Sequence, residues 1–410
     1  MEVVKLNKKE HKELIADIYR LCFAAPFTSE SFQYYLNCDD LWAFVWGVFD
    51  HGLLVSSYIA YEGEVKVRQV PFRVNYFDGF VTRPGYRNRG LGRLMFENQR
   101  KVAAEKGIRL FALDPFKNAY YRKFGFEDAL DSLQIKIPMR NLSRQKARGL
   151  YRMEVRAAYN SEITEKAVRE SAQREWEEGF YNPMKIPESY FTGTFKNKEW
   201  KICILRDGEE TVQGVLLYSI KDRDLTVYRM SFFDLKAILT YREFLSQFRD
   251  QVDTIKFFKA PPDFPFDLFA DSYHSGSSRL EVRHYPTRMM QILDIGFVLE
   301  KLLRKGQQAP FSFTIRFIDP LIEQNNQTLH LSNKEIREQP DALPDIEIAV
   351  RDFVPVMTGK SSVSELFAKG KARVPGCDNP PWNRDKYPSV IRELDAVFPP
   401  MITHNCEYCF

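Results

Sequence analysis

The sequence predicts an α/β (α+β) protein that folds into more than one domain. Apolar stretches of strand length alternate with amphipathic helical stretches along most of the chain. The 410 residues exceed the size at which one hydrophobic core keeps growing, so two or three domains are expected. The third observation is a glycine-rich loop, within residues 84–95, that lies between a strand and a helix.

The composition excludes several classes of protein. Hydrophobic residues make up 44% of the chain and charged residues 28%, as in an ordinary globular protein. The 59 basic and 55 acidic residues lack the basic excess of a dedicated nucleic-acid binder. With no apolar run of 18 residues and no signal-peptide pattern, we expect neither a membrane partner nor export. The 6 scattered cysteines do not suggest a disulfide framework, so we expect a reduced, cytoplasmic protein without a metal.

The first predicted domain spans residues 1–149 and contains the glycine-rich loop. Its first two strands are joined by His51 and Gly52, which together are typical of a β-hairpin turn. Its third strand stops before Pro84, because proline cannot extend a β ladder. The predicted elements are a helix from Val4 to residue 23, strands at 42–50, 53–63 and 73–82, a helix ending at Lys106, a strand at 108–114, a helix at 118–125 and a strand at 133–139.

Residues 150–294 predict a second α/β domain, and residues 295–410 predict a third. The second domain follows a basic connector at 140–149 and has no glycine-rich loop of its own. Its predicted elements are a helix at 162–178, strands at 200–205, 213–220 and 225–233, and a helix at 235–252. Those of the third are a helix at 297–306, strands at 311–319, 327–332 and 346–350, and helices at 353–359, 362–370 and 389–398.

Gly90 and Gly92 stand where a long helical pattern begins, although glycine costs a helix interior about 1 kcal/mol relative to alanine. Free N–H groups at a helix start favour an anion, and the neighbouring arginines add positive charge. The loop lacks the third glycine of the dinucleotide-binding fingerprint and the Gly-Lys-Ser/Thr of a P-loop. A tight turn with surface arginines is the alternative interpretation.

The motif Arg-x-x-Gly-x-Gly, from Arg87 to Gly92, resembles the pyrophosphate loop of the GNAT superfamily of N-acetyltransferases. The resemblance implies that acetyl-coenzyme A is the co-substrate. It also implies that the strand before the loop splays from its neighbour and exposes backbone groups to the pantetheine arm. The implied binding residues are Phe80, Val81, Thr82, Arg87, Asn88, Arg89, Gly90, Leu91, Gly92, Arg93, Phe116, Lys117 and Asn118.

Tyr121 is the predicted general acid. In GNAT enzymes a tyrosine four residues before Gly-Phe faces the sulfur of the coenzyme, and here Gly125 and Phe126 set that register. A phenol with a pKa near 10 can protonate a thiolate whose thiol has a pKa near 8.5. Tyr120 is the rival, and packing of both tyrosines on the sheet is the structural alternative.

The order of the whole chain resembles the Eis-type (enhanced intracellular survival) acetyltransferases. The resemblance rests on the loop, on Tyr121, on Met357-Thr358-Gly359 with its following helix, and on the terminal Phe410. It implies a GNAT-like middle domain without the loop, a sterol-carrier-protein-like last domain and a homohexamer. It also implies that the main-chain carboxylate of Phe410 is the general base, since the ring of Phe410 has no proton-accepting group.

Other residues near these motifs have weaker interpretations. Cys406 and Cys409 have C-x-x-C spacing, but His404 is the one further metal ligand nearby, so a metal site is disfavoured. Asp39 and Asp40, close to two tryptophans, suggest either an amine pocket or a solvated turn.

The sequence therefore predicts an acetyl-CoA-dependent N-acetyltransferase, an acyltransferase of the EC 2.3.1 class, that acts on a primary amine. Two alternatives stay open. One is a binding or scaffold protein with a vestigial coenzyme site and an apolar ligand in the last domain. The other is an acyltransferase that uses a longer acyl-CoA.

Overall fold

The computed structural model describes residues 1–23, 33, 36–143, 149–159, 161–178, 184–185, 197–261, 263–270, 280–303, 310–377 and 383–401. The strands are β1 Glu2–Lys5, β2 Val45–Asp50, β3 Leu53–Val67, β4 Val70–Thr82, β5 Leu110–Leu113, β6 Glu127–Pro138, β7 Arg152–Ala157, β8 Met184–Lys185, β9 Lys201–Arg206, β10 Val212–Lys221, β11 Asp224–Phe232, β12 Thr254–Ala260, β13 Glu281–Ile292, β14 Ser312–Ile318, β15 Thr328–Ser332, β16 Ile336–Glu338, β17 Ile346–Ala349 and β18 Ala372–Arg373. The helices are α1 Lys8–Cys22, α2 Asp39–Trp42, α3 Leu91–Glu105, α4 Asn118–Tyr121, α5 Glu162–Glu178, α6 Leu235–Ser246, α7 Phe266–Phe269, α8 Ile295–Leu303, α9 Val350–Thr358, α10 Val363–Ala368 and α11 Ser389–Val397.

Two β-sheets organise these elements. The larger sheet has the strand order β1-β2-β3-β4-β5-β13-β6-β12-β11-β10-β9-β7, and β8 adds to β3. The smaller sheet, formed by the last part of the chain, has the order β16-β15-β14-β17-β18. The mixed α/β class predicted from the sequence is confirmed, while the domain boundaries at 149 and 294 stay predictions.

The two faces of β4 are covered by different helices. Ile15 and Ile18 of α1 belong to one buried cluster with Tyr76 and Val81. Met95 and other residues of α3 belong to a second cluster on the opposite face. Because side chains alternate between the faces of a strand, β4 carries two buried sets of apolar residues. The candidate site lies at the end of this doubly covered strand.

The β2–β3 hairpin is confirmed. Asp50 pairs with Leu53, and both turn residues have positive φ, 47° at His51 and 80° at Gly52. This is the backbone of a tight two-residue turn, and glycine adopts it without a steric penalty.

The predicted helix from Val4 is wrong at its start. Residues 2–5 form β1, which pairs with β2, and α1 begins only at Lys8. The side chain of Asn7 caps the helix by accepting a hydrogen bond from the Glu10 N–H at 2.9 Å. The β-branched Val3 and Val4 favour the strand.

Strands β12 and β13 were not predicted from the sequence. β13 lies between β5 and β6, antiparallel to both, although it comes more than 140 residues after β6 in the chain. Pro286 and several charged residues interrupt its apolar pattern, and the ladder shifts register around Pro286 and Arg288. Proline is tolerated there because a bulge does not require its N–H.

The last part of the chain is joined to the β3–β4 turn. Arg68 donates hydrogen bonds to the carbonyl oxygens of Val356 and Met357, at 2.9 and 3.0 Å. These carbonyls belong to the last turn of α9, where the helix dipole favours a cation. Burial lowers the pKa of Arg68 to about 10.

Candidate active site

Strands β4 and β5 separate at their carboxyl ends. They pair in parallel from Val74–Leu110 to Phe77–Leu113, where β5 ends, while β4 continues to Thr82. Within the described residues, no strand pairs with Asp78–Thr82 on that side. A gap therefore opens beside β4, as the sequence resemblance implied.

A bulge sits in β4 at the mouth of this gap. Asp78 pairs with Ile59 and Val81 pairs with Ser57, which leaves Gly79 and Phe80 without partners in the register. Gly79 has φ of 62°, and the Tyr19 hydroxyl donates to its carbonyl oxygen at 3.1 Å. The bulge breaks the ladder where backbone groups are needed for a ligand.

Of the three predicted strand residues, Phe80, Val81 and Thr82, Phe80 directs its side chain toward Tyr121. Its centroid lies 6.2 Å from that of Tyr121. The carbonyl of Val81 accepts a hydrogen bond from Ser56 Oγ at 2.6 Å, and that of Thr82 accepts one from Arg87 Nε at 3.2 Å. Two of the three carbonyls thus already have protein partners, and the Gly79 carbonyl is bound by Tyr19. Phe80, which has no partner in the β3–β4 register, offers the more available backbone.

The glycine loop leads directly into α3. Residues 87–90 are exposed, and Asn88 and Gly90 have φ of 65° and 79°. Gly90 caps the helix without a side-chain hydrogen bond, so the N–H groups of Leu91, Gly92 and Arg93 have no side-chain acceptor from the cap. These amides, at the start of a 15-residue helix, form an anion-binding end.

The loop arginines differ in their contacts. Arg87 Nε donates to the Thr82 carbonyl, and the Arg89 guanidinium lies 4.8 Å from the centre of the Tyr86 ring. Arg93 is exposed on the first turn of α3. None of these three arginines forms an ion pair with an acidic side chain among the described residues. Their positive charges therefore remain available around the start of α3.

Glycine is required at positions 90 and 92 for different structural reasons. A β-carbon at Gly90 would have open space around it, so positive φ is the constraint there. A β-carbon at Gly92 would lie 2.5 Å from the Tyr120 hydroxyl oxygen and 3.1 Å from Phe124 Cζ. Gly92 thus allows the helix start to approach the tyrosine pair.

Tyr121 ends the short helix α4 and is buried, with 3% of its surface exposed. Its ring packs against Phe80, Phe116 and Phe126, with centroids 5.5 to 6.2 Å apart. Its hydroxyl has no hydrogen-bond partner among the described residues. Burial, together with the charges of Tyr120 and Asp78, raises the pKa of Tyr121. The hydroxyl is therefore protonated at neutral pH and available as a donor.

The residues after β5 have three different environments. Phe116 is 75% exposed, and its ring centroid lies 5.5 Å from that of Tyr121. Lys117 is exposed. Asn118 donates a hydrogen bond from its side-chain amide to Asp128 of β6, so this side chain is already engaged by the protein.

Sequence reasoning missed two aspartates at the gap. Asp78 and Asp114 directly follow the last paired residues of β4 and β5. Arg288 of β13 lies 2.9 Å from Asp114, and Lys259 of β12 lies 3.6 Å from it. The sequence does show an acidic residue after each buried strand. It does not show the parallel register of β4 and β5 that brings Asp78 and Asp114 together.

The predicted base lies outside the described residues, as do Cys406, Cys409 and His404. The last described residue is Met401, whose N–H donates to the Gly359 carbonyl at 2.7 Å. Asp39 and Asp40 belong to α2, and Lys8 lies 2.7 Å from Asp39. In the described part of the chain, no group of three or more His, Cys, Asp or Glu residues is placed to hold a metal ion.

Comparison with known proteins identifies the domain that carries this site. Residues 2–129 match the family model of an acetyltransferase (GNAT) domain. The first third of the chain is a GNAT domain. This match confirms the prediction of an acyltransferase enzyme, and a GNAT domain implies acetyl-CoA. No curated protein sequence matches the chain.

Solved structures share the fold beyond the GNAT domain. Eis1 from Mycobacterium abscessus is 16% identical and covers all of both chains with a TM-score of 0.76. A GCN5-related N-acetyltransferase from Anabaena variabilis is 15% identical over all of both chains, with a TM-score of 0.79. One from Kribbella flavida is 16% identical over 100% of this chain and 98% of its own, with a TM-score of 0.76. The whole chain thus has the fold of Eis-type GNAT proteins, as predicted.

None of the described helices is both long and apolar enough to span a lipid bilayer.

Proposed function

We propose that this chain is an acetyl-CoA-dependent N-acetyltransferase that transfers the acetyl group to a primary amine. One observation carries the proposal: Tyr121 lies beside the gap between β4 and β5, and its neighbour Tyr120 contacts the uncapped start of α3. An anion-binding helix end, a slot beside a strand and a buried proton donor are thereby brought together. This arrangement suits a thioester with a long phosphorylated arm.

The loop would hold the pyrophosphate through backbone amides from Asn88 to Arg93, with the side chains of the three loop arginines adding positive charge. Phe80, Val81 and Thr82 would face the pantetheine arm across the gap. Phe116, Lys117 and Asn118 would flank it from the other side, Asn118 through its backbone because its side chain contacts Asp128. The position of Phe80 supports this binding mode, because the arm needs backbone donors and acceptors and Phe80 has no partner in the β3–β4 register.

Tyr121 would act as the general acid. In the reaction the amine nitrogen forms a bond to the acetyl carbon, and the carbon–sulfur bond breaks with its electron pair going to sulfur. The proton of Tyr121 goes to that sulfur, and no covalent enzyme intermediate forms. A positioned acid of this kind contributes about 10²–10⁴-fold to a rate.

The carboxylate of Phe410 would act as the general base, on the strength of the Eis-type resemblance. The ordinary pKa of an α-carboxyl is about 3.5, so it can serve only if burial raises that pKa or a water relays the proton.

The middle region would be a GNAT-like domain that has lost the loop. β11, α6 and β12 repeat the order of β4, α3 and β5, and both strand pairs are parallel over four residues. Phe233 and Asp234 alone connect β11 to α6, and Asp234 accepts a hydrogen bond from the Ala237 N–H at 2.8 Å. A carboxylate of the chain itself thus occupies the helix end that would otherwise receive a phosphate.

The last region would be a sterol-carrier-protein-like domain, and the protein would be a cytoplasmic homohexamer. These proposals rest on the resemblance to Eis-type proteins. Light scattering of the purified chain tests the assembly, since a monomer would contradict it.

Two alternatives remain as proposals of lower rank. A scaffold protein with a vestigial coenzyme site would bind acetyl-CoA without turnover. An acyltransferase for longer chains would prefer a longer acyl-CoA, because the same loop serves every CoA thioester.

The test is product mass spectrometry with acetyl-CoA and four amines: kanamycin, spermidine, benzylamine and a lysine-containing peptide. The intact chain is compared with a chain extended by three residues after Phe410. Acetylated product from the intact chain alone supports both the activity and the terminal base. Equal product from both removes the terminal carboxylate from the mechanism. Tight acetyl-CoA binding without product from any amine favours the scaffold protein.

A further inference from the structure

The turn that follows Tyr121, residues 122–125, is held by two side chains that bind one carbonyl group. The Phe124 carbonyl accepts a hydrogen bond from Gln291 Nε2 at 2.8 Å and another from Arg100 Nη2 at 3.1 Å. Arg100 belongs to α3, the helix that begins at the glycine loop, and Gln291 belongs to β13. This carbonyl therefore joins the turn both to the anion-binding helix and to the strand that lies beside β5.

Gln291 lies on the same face of the sheet as Tyr121. Met289, two residues earlier in β13, belongs to the buried cluster that contains Tyr121. Met290 and Ile292 belong to the cluster on the α1 face. Because side chains alternate along a strand, Gln291 faces the α3 side, where it is buried with 2% of its surface exposed. Its amide thus reaches the turn from inside the protein.

Gly125 allows the amide of Gln291 to approach the turn this closely. A β-carbon at Gly125 would lie 2.7 Å from Gln291 Nε2, and the φ of 91° at Gly125 also disfavours any side chain. Gly125 is the glycine that sets the register of Tyr121 in the sequence. The backbone of the turn is therefore fitted to the Gln291 side chain.

The position of the Tyr121 hydroxyl depends on this turn. The hydroxyl has no hydrogen-bond partner among the described residues, so its position is set by ring contacts and by the backbone. The Phe126 N–H donates to the Tyr121 carbonyl at 3.4 Å, and the Gly125 N–H donates to the Arg122 carbonyl at 3.2 Å. A shift of the Phe124 carbonyl would therefore move this hydrogen-bonded backbone, and the Tyr121 ring with it.

The other end of the Gln291 amide argues against a purely structural role. Gln291 Oε1 is buried and has no hydrogen-bond partner in the described part of the chain. A buried acceptor without a partner costs stability, so an apolar side chain of the same length would be at least as stable there. The benefit of a glutamine at this position is the N–H that it donates to the turn.

We propose that Gln291 is a positioning residue for Tyr121: its amide fixes the Phe124 carbonyl, and thereby the place from which the Tyr121 hydroxyl reaches the leaving sulfur. This inference rests on the proposed N-acetyltransferase function. A misplacement of about 1 Å can cost about 100-fold in rate, so one hydrogen bond at this turn has a measurable effect. β13 lies outside residues 2–129, which match the GNAT model, so a later strand positions the acid of the GNAT domain.

The test compares Gln291→Met with Gln324→Met, using the amine of the four-member panel that the intact chain acetylates fastest. Methionine keeps the unbranched length of glutamine and donates no hydrogen bond. Gln324 is the matched control, because its Nε2 donates at 2.9 Å to the carbonyl of Leu293, which is not part of the turn. We expect kcat of Gln291→Met to fall about 10- to 100-fold, with acetyl-CoA affinity retained and the melting temperature unchanged or higher. Gln324→Met should keep the wild-type kcat.

A double variant separates positioning from general damage to the site. If Gln291 acts through the Tyr121 hydroxyl, adding Gln291→Met to Tyr121→Phe should not lower kcat further, because the group that it positions is already absent. The same fold-loss of kcat in the Tyr121→Phe background as in the wild type would show that the effect does not pass through this hydroxyl. That result would overturn the inference.

The other outcomes are equally decisive. No product from the wild-type chain overturns the proposed function, and this inference with it. Full activity of Tyr121→Phe overturns the assignment of the acid, and again this inference with it. With Tyr121 upheld as the acid, the inference alone is overturned if Gln291→Met is as active as the wild type, if it loses acetyl-CoA affinity or melting temperature, or if Gln324→Met loses as much kcat.

Discussion

Gly92 and Tyr120 are packed so closely that a β-carbon at position 92 would lie 2.5 Å from the Tyr120 hydroxyl oxygen. This contact joins the start of α3 to α4, and it places the anion-binding helix end next to the proposed acid. The conformational preference of glycine alone does not explain the residue, because φ at Gly92 is not positive.

Gly92→Ala should therefore weaken acetyl-CoA binding about tenfold. The added methyl group is overpacked, at a cost of about 1–3 kcal/mol, and this exceeds the gain in helix propensity of about 1 kcal/mol or less. Isothermal titration measures the affinity. Adding Tyr120→Phe should restore most of it, because the ring carbon Cζ of residue 120 lies at an ordinary 3.6 Å and only the 3.1 Å contact with Phe124 Cζ remains tight. An unrestored double variant would contradict the steric explanation.

Gly90→Ala has a matched control in Gly107→Ala. Both positions have positive φ, 79° and 67°, and a β-carbon at either would meet open space. Each substitution should cost about 1–2 kcal/mol of stability from backbone strain. Only Gly90→Ala should also weaken acetyl-CoA binding, because its strain falls in the loop and that of Gly107 falls at the far end of α3. Equal affinity losses would show that the loop geometry is not specific to binding.

Tyr121→Phe should lower kcat about 10²–10⁴-fold without changing the affinity for acetyl-CoA. The hydroxyl has no partner among the described residues, so its removal should leave the melting temperature almost unchanged. Tyr120→Phe is the control for the rival tyrosine and should retain most activity. The opposite ranking of the two variants would move the acid to Tyr120.

The pH profile gives a second readout for the acid. Because burial raises the pKa of Tyr121 above its ordinary value of 10, the phenol stays protonated through that pH. We expect no loss of kcat from this group on the alkaline side up to pH 10. An alkaline limb near pH 9 that disappears in Tyr121→Phe would contradict the raised pKa.

Glu127→Gln should lower the free energy of unfolding by about 2 kcal/mol, because a buried carboxylate loses its charged hydrogen bonds. Glu127 accepts from Arg122 Nε at 2.8 Å, and Lys371 approaches it to 3.4 Å. Burial acts to raise the pKa of Glu127, but the hydrogen bond from Arg122 and the other contacts outweigh it and lower the pKa below 4.5.

The sign of that shift fixes the pH dependence. A carboxyl with a lowered folded pKa contributes stability above its unfolded pKa, and this contribution is lost as pH falls through the folded pKa. The difference between wild type and Glu127→Gln should therefore be full at pH 7 and shrink below about pH 4. Asp253→Asn, which breaks a solvent-exposed pair with Arg223, should cost far less than Glu127→Gln at either pH, because exposed ion pairs contribute little to stability. Chemical denaturation at several pH values provides the measurement.

The local features of the site were predictable from the sequence. The loop and Tyr121 are defined by residues close together in the chain, and short-range spacing is sufficient to identify such motifs. The end of β4 followed from Pro84. The proximity of Asp78 to Asp114 was not predictable, because it depends on the register of two parallel strands joined by a helix.

The insertion of β13 between β5 and β6 could not be predicted from the sequence pattern either. Arg288 reaches Asp114 only because β13 lies between β5 and β6, and proline, here Pro286, is unfavourable inside a strand. Asn118 shows the same limit on a smaller scale, since the GNAT resemblance assigned it to the coenzyme while its side chain donates a hydrogen bond to Asp128.

The position of β13 has a consequence for biosynthesis. Until residue 292 has left the ribosome, β5 and β6 have no strand between them, so the sheet that carries the site cannot close. Contacts of such large sequence separation slow folding, and unpaired strand edges promote aggregation. The nascent first domain should therefore depend on chaperones for the time needed to synthesise the following region. A truncated chain ending at residue 149 should be insoluble when it is expressed alone.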